Sequence, residues 1–314
     1  MTTNSKFQKK TIRLSIILLF VMILPSLSAC DYDTVEVKPT PEKVFISPGD
    51  ILYQSDQNRD ATINIARMGE FQKRNLNLQK TFVQLAWGQN NGRLFGLSQN
   101  LILGDHRYVI TGYPSYLSDD GEIEVCKLDL FEGIYPKGNF DGNDIVFGID
   151  ARGVYEIDLT NCALVREIAK YDDINELQGV SYNPVTGELI VGVRYSVSLP
   201  PAEGMIMSVD LESGELTGIT YGINPAWTPT MDAFTLIRYD GIYLRTRDGK
   251  ETRLVELEFD DYYYLPYPRP FPGGVIYHYE KLPTNPATIF IYYYETNEVE
   301  NTGLKGLYPV VIFE

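Results

Sequence analysis

Histidine is nearly missing: in 314 residues only His106 and His278 occur, with no His-x-x-x-His pair and no cysteine close to either. A zinc centre of the usual kind takes three or four His, Cys or carboxylate ligands, so no metal or other cofactor is expected. The Gly-x-Ser-x-Gly elbow of many serine hydrolases is absent too. A Ser-His-Asp triad could then arise only from residues that meet in space. Cysteine is limited to Cys30, Cys126 and Cys162, too few for a disulfide-built fold. Positive charge is the third shortage, with 27 Lys and Arg against 42 Asp and Glu and a net charge of −15. Phosphate backbones and anionic headgroups repel such a chain, which excludes nucleic acid as an expected partner and excludes a basic patch as a membrane contact. Helical periodicity is hard to find from residue 45 onward.

What little positive charge exists is partly concentrated at the start. Lys6, Lys9, Lys10 and Arg13 precede an eleven-residue, mostly apolar run, Leu14 to Leu24, with no acidic residue before Asp31. As a helix that run rises about 16 Å, roughly half a bilayer's hydrocarbon core, so it suits an export signal better than a permanent span. It ends in Leu27-Ser28-Ala29-Cys30. This tetrad resembles the lipobox of bacterial lipoproteins, and the resemblance implies cleavage before Cys30 and lipid on its thiol. The expected organisation is a signal peptide over 1–29, a lipidated tether over 30–44 with Pro39 and Pro41 among charged residues, and one domain over 45–314. Cleavage would remove four positive charges and take the net charge to −19. Export also permits a bridge between Cys126 and Cys162. The alternative reading, two packed free thiols, stays open.

The remaining chain reads as all-β. Short alternating or β-branched runs recur, among them Leu94–Ser98, Tyr108–Tyr113, Glu122–Leu130, Ile145–Ile149, Val154–Leu159, Glu188–Val193, Phe234–Tyr239 and Ile289–Tyr294. Turn signals such as Asp119-Asp120-Gly121, Thr186-Gly187 and Asp248-Gly249 separate them. A larger period overlies this pattern. Trp87, Phe140, Tyr182, Trp227 and Phe271 each precede a polar turn and an apolar strand, at intervals of 53, 42, 45 and 44 residues. Partial copies stand at Phe45 and Tyr308. A unit of about 40–50 residues with four short strands is the size of a propeller blade. Five internal copies and two terminal ones predict a β-propeller of six four-stranded antiparallel sheets, closed by pairing of the chain's two ends. The aromatic residue is expected where the innermost strand turns into the next, packed between neighbouring blades.

One unit carries a family resemblance. Pro225-Ala226-Trp227-Thr228-Pro229-Thr230-Met231-Asp232, followed by Ile242-Tyr243-Leu244-Arg245 and Asp248-Gly249-Lys250, resembles the repeats of TolB-like propellers. Those repeats place a Pro-x-Trp-Ser-Pro-Asp-Gly turn before a strand and a later Asp-Gly turn. Thr228 and Thr230-Met231-Asp232 depart from that pattern. The resemblance implies the fold and carries no active site with it.

The search for chemistry yields little. Asp56-x-Asn58-x-Asp60 opens like a calcium loop, but Ala61 and Arg67 occupy the positions that need Gly and Glu. Asp119/Asp120, Asp172/Asp173 and Asp260/Asp261 are adjacent carboxylates of the kind a highly acidic chain produces by chance. Tyrosine is the abundant residue, 23 in all, clustered at Tyr262-Tyr263-Tyr264, Tyr267 and Tyr292-Tyr293-Tyr294. Tyr262, Tyr264 and Tyr267 with Arg269, set among prolines, form a candidate aromatic binding loop at a ring face. The functional expectation is a lipid-anchored, non-catalytic binding or scaffolding protein of the bacterial cell envelope, facing the periplasm or exterior, with a protein, peptide or glycan partner. The competing expectation is an envelope hydrolase or lyase with carboxylates in the central funnel.

Overall fold

The computed structural model describes residues 46–55, 63–76, 82–88, 92–104, 107–140, 142–194, 204–257, 266–279 and 287–314. Cys30, His106, Tyr262, Tyr264, the Asp56–Asp60 segment and Phe45 lie outside them. The rest forms a six-bladed β-propeller. Blade 1 holds β1 (Asp50–Gln54), β2 (Ile63–Arg67) and β3 (Arg74–Leu76). Blade 2 is β4 (Phe82–Gly88), β5 (Arg93–Gly104), β6 (Arg107–Leu117) and β7 (Ile123–Val125). Blade 3 is β8 (Gly133–Phe140), β9 (Asn143–Ile149), β10 (Gly153–Asp158) and β11 (Ala163–Lys170). Blade 4 is β12 (Glu176–Asn183), β13 (Glu188–Arg194), β14 (Met205–Val209) and β15 (Leu216–Tyr221). Blade 5 is β16 (Ile223–Trp227), β17 (Ala233–Arg238), β18 (Gly241–Thr246) and β19 (Glu251–Glu256). Blade 6 is β20 (Arg269–Phe271), β21 (Gly274–Tyr279), β22 (Thr288–Tyr293) and β23 (Val299–Lys305). The last strand, β24 (Leu307–Val311), is the innermost strand of blade 1 and pairs antiparallel with β1. Innermost strands β24, β4, β8, β12, β16 and β20 adjoin one another in a complete circuit.

The aromatic period is the seam between blades. Tyr182 on β12 packs its ring 5.0 Å from Phe147 on β9 of the preceding blade. Apolar cover across a seam recurs at Trp227, which shares a buried cluster with Ile190 and Ile206 of blade 4. Phe271 likewise joins Ile51 and Tyr53 of blade 1. The Tyr182–Phe147 pair adds about 1 kcal/mol beyond the area it buries. Where the TolB-like pattern is broken, the turn is held by other means: the Thr228 hydroxyl donates to Asp232 Oδ1 at 3.2 Å, and the Thr230 hydroxyl bonds the same oxygen.

Four inner strands share an irregularity. Gln84-Leu85, Gln178-Gly179, Asn224-Pro225 and Tyr308-Pro309 each set two residues opposite one on the next strand. Gln84, Gly179, Asn224 and Tyr308 adopt left-handed φ values of 50°, 77°, 50° and 50°. Such a bulge sharpens the strand's twist toward the axis. At Gly179 a side chain is excluded twice, by the positive φ and because a Cβ there would stand 2.9 Å from Asn224 Cα. Proline is tolerated in these strands because each is the edge of its sheet and has no ladder partner on the axial side.

Two expectations are corrected. The alternating run Glu122–Leu130 yields a strand only over Ile123–Val125. Beyond it Cys126 N–H donates to Pro114 O and the chain crosses to blade 3. Tyr308 does not mark a seam as the other aromatics do, since it lies in the inner-strand bulge instead. Cys126 is bonded to Cys162, which sits in the turn between β10 and β11, with Cα atoms 5.1 Å apart. The bridge therefore staples blade 2 to blade 3 and closes a loop of sequence separation 36. A loop of that length implies an entropic stabilisation of about 2–4 kcal/mol. The double variant Cys126→Ser/Cys162→Ser should lose that amount in denaturant unfolding, whereas an unchanged midpoint would show the bridge to be energetically idle.

Candidate binding site on the ring axis

Six inner strands that each begin at one face and end at the other give the axis two different mouths. At the near face, where the strands begin, Glu132 precedes β8 and Glu176 opens β12. The Glu132 backbone N–H donates to Ile149 O at 2.7 Å. Glu176 Oε2 accepts from Arg194 Nη1 at 2.9 Å, directly across the β12–β13 ladder. Glu132 has no such cation among the described residues. Burial, then the charges of Glu176 and Asp150, push its carboxyl up from 4.5 to about 7. A carboxyl so placed changes protonation in the range where acid–base chemistry operates.

Further along the axis, residues of opposite blades meet. Tyr135 of blade 3 and Arg269 of blade 6 line one cavity, three blades apart around the ring. The Tyr135 hydroxyl meets that of Ser181, and burial raises its pKa. Tyr267, immediately before β20, is pushed up to about 12, first by burial and then by the field of Glu176, with a smaller contribution from Glu132. Burial also lowers the Arg269 guanidinium's pKa, against the stabilising fields of Tyr135 and Tyr267. Tyr267 packs 4.9 Å from Tyr308 and 6.1 Å from His278. His278 is completely buried, and its Nδ1 accepts the Tyr308 backbone N–H at 3.3 Å.

The cavity opens toward the far face past Trp87, Pro184, Trp227, Pro229 and Phe313. Among the described residues its charged lining consists of Lys137 and Arg269, with no Asp or Glu. Lys137 Nζ is bonded to Glu156 Oε1 at 2.5 Å. The volume is about 80 Å³, the share of two or three waters at about 30 Å³ each, well below the roughly 300 Å³ at which small-molecule pockets begin. A larger groove of about 920 Å³ runs along blade 6 between Pro272-Gly273 and Tyr293–Glu300. It belongs to one blade, its charged groups are all glutamates, and Glu300 is already bonded to the Tyr293 hydroxyl.

Of the candidate residues read from the sequence, Tyr267 and Arg269 are brought together, half-buried on the axis rather than displayed on a surface loop. Asp119 and Asp120 lie in an exposed turn. Glu132, Glu176, Tyr135 and Trp227's indole were not singled out as site residues. A signal for part of the set does exist in Tyr135-Pro136, Asn224-Pro225, Tyr267-Pro268 and Tyr308-Pro309, which mark the axial edge of four blades. Among the described residues no group of three or more His, Cys, Asp or Glu is placed to hold a metal ion.

No family model matches the sequence, and no curated protein matches it. Structural comparison does place the fold. TolB from Acinetobacter baumannii superposes with a TM-score of 0.58 at 16% identity, over 84% of this chain and 66% of that one. A putative TolB from Agrobacterium tumefaciens gives 0.53 at 16% identity, over 83% and 91%. A chain of a nidogen/laminin complex gives 0.57 at 10% identity, over 81% and 92%. The fold is that of the TolB-like six-bladed propellers.

Glu132 makes stability depend on pH with a sign unusual for a carboxylate. Between about pH 4.5 and 7 the folded chain retains a proton that the unfolded chain has released, so stability falls as pH rises through that window and levels off above it. Glu132→Gln stays neutral throughout. It should be more stable than the parent by about 1–3 kcal/mol at pH 8 and equal to it at pH 4. Denaturant melts at both pH values check this, and a Glu132→Gln chain less stable at pH 8 would contradict it.

Proposed function

We propose that this chain is an exported bacterial lipoprotein, anchored through Cys30, whose propeller binds an envelope partner without transforming it. One observation carries the binding part: an arginine, Arg269, is held on the ring axis beside two tyrosines with no carboxylate paired to it among the described residues. In a chain with 42 acidic residues, a half-buried guanidinium left for an outside acceptor favours recognition. The cavity's small volume supports gripping a group presented by a larger partner rather than enclosing a substrate. The anchoring part rests on the basic, apolar and Leu-Ser-Ala-Cys segments at the N-terminus.

A second reading has its own support. Glu132, with its carboxyl raised to about 7 beside Glu176, has the protonation of a general acid or base in a hydrolase or lyase. The two readings separate cleanly. With the full chain extracted from membranes in detergent, capture of an envelope partner in fixed ratio should persist in Glu132→Gln and weaken in Arg269→Gln. Polysaccharide turnover that disappears in Glu132→Gln would replace the binding reading with the catalytic one. Cys30→Ala should move the protein from the membrane to the soluble fraction, and continued membrane association of that variant would remove the lipoprotein assignment.

A further inference from the structure

The axial cavity is lined by two side chains that can only donate hydrogen bonds and that find no acceptor among the described residues. Arg269 makes no ion pair among the described residues, whereas Arg194, Arg238 and Arg245 each meet a glutamate at 2.6–2.9 Å. Trp227, 5% exposed, lines the same cavity, and its indole Nε1–H is buried and without a partner among the described residues. Its counterpart on blade 2, Trp87, donates its own indole N–H to Phe313 O at 2.9 Å. The two tryptophan seams therefore differ, and at blade 5 the indole N–H is left unused among the described residues. Guanidinium and indole N–H groups are donors without acceptor capacity, and a buried donor left unsatisfied is destabilising. What completes the site must be an acceptor, and a lining without a carboxylate among the described residues makes a negative one fit.

Resting on the binding reading above, we propose that this cavity is a carboxylate receptor that takes the free C-terminus of an extended peptide, with Arg269 and Trp227 as its donors. Shape and charge select this ligand. A planar guanidinium bonds a carboxylate in bidentate fashion. About 80 Å³ accommodates a carboxylate and the atoms next to it but not a pyranose ring. Pro184, Pro229 and Phe313 toward the far face offer flat apolar walls to the chain behind it. The near mouth carries carboxylates and the described lining toward the far face carries none, so the anion enters past the tryptophans.

The chain has two tryptophans, and one of them is a proposed contact, so indole emission reports occupancy. The full chain in detergent is titrated with N-acetyl-trialanine bearing a free carboxylate, with the same peptide as its amide, with galacturonate and with inorganic phosphate. The free acid should shift the emission saturably and bind at least about tenfold tighter than the amide, matching the loss of a charge-assisted bond. Arg269→Gln should lose about tenfold or more by calorimetry, Arg269→Lys should recover part of it, and Trp227→Phe should weaken binding less than Arg269→Gln. Thermal melts of each variant verify folding. Equal binding of acid and amide, or undiminished binding by folded Arg269→Gln, overturns the carboxylate site. Galacturonate or phosphate binding as tightly as the peptide overturns the choice of ligand. Capture of an envelope partner that survives Arg269→Gln would leave the binding function standing while the axial receptor falls. Peptide binding with no partner ever captured would reverse that outcome.

Discussion

Pairing of β24 with β1 is the constraint on which the rest of the molecule depends. Ile51, Leu52 and Gln54 take Val311, Val310 and Leu307 as their partners, so the last residues of the domain supply the innermost strand of its first blade. Without that strand, blade 1 would present an open edge to the axis, and unpaired edges invite association with other chains. More is at stake than one edge. Each blade covers its neighbour's apolar face, as the mixed clusters around Leu52, Phe82 and Val310 show, and an open ring would expose two such faces at once.

Closure also assembles the axial site. Glu132 and Tyr135 belong to blade 3, Tyr267 and Arg269 to blade 6, and these blades face each other across the ring. Nothing local joins them. The ring brings their side chains within mutual influence and sorts them along the axis, with carboxylates at the near mouth and donor groups toward the far one. Burial and like charge hold Glu132 partly protonated near neutrality, so the near mouth is less negative than its composition implies. The disulfide between Cys126 and Cys162 ties the blade that carries Glu132 and Tyr135 to the one before it.

Much of the fold was legible because the aromatic seam repeats at nearly constant spacing and each copy ends in a turn with its own residue signature. Trp227 and Phe271 could be placed at blade junctions from that spacing alone. The axial site was not legible for a physical reason: its members are distant in sequence, come from different blades and share no motif. Tyr267 looked like one ring in a tyrosine-rich loop, and only the inner-strand position of Pro268-Arg269-Pro270 puts it on the axis. Glu132 was one acidic residue among many, distinguished only by the neighbours that the ring supplies. Cys126 stood in a run that alternates like a strand, yet the chain leaves the sheet after Val125 to cross between blades, and so the cysteine meets Cys162.

Native-state hydrogen exchange of the backbone amides in β24 and β1 tests the closed ring most directly. If the ring is held shut by this pairing, the hydrogen-bonded amides of Leu52 and Val310 exchange only through global unfolding, at the same free energy as the best-protected amides of blades 4 and 5. Exchange of β24 by local opening, orders of magnitude faster than in those blades, would contradict a ring that depends on its last strand.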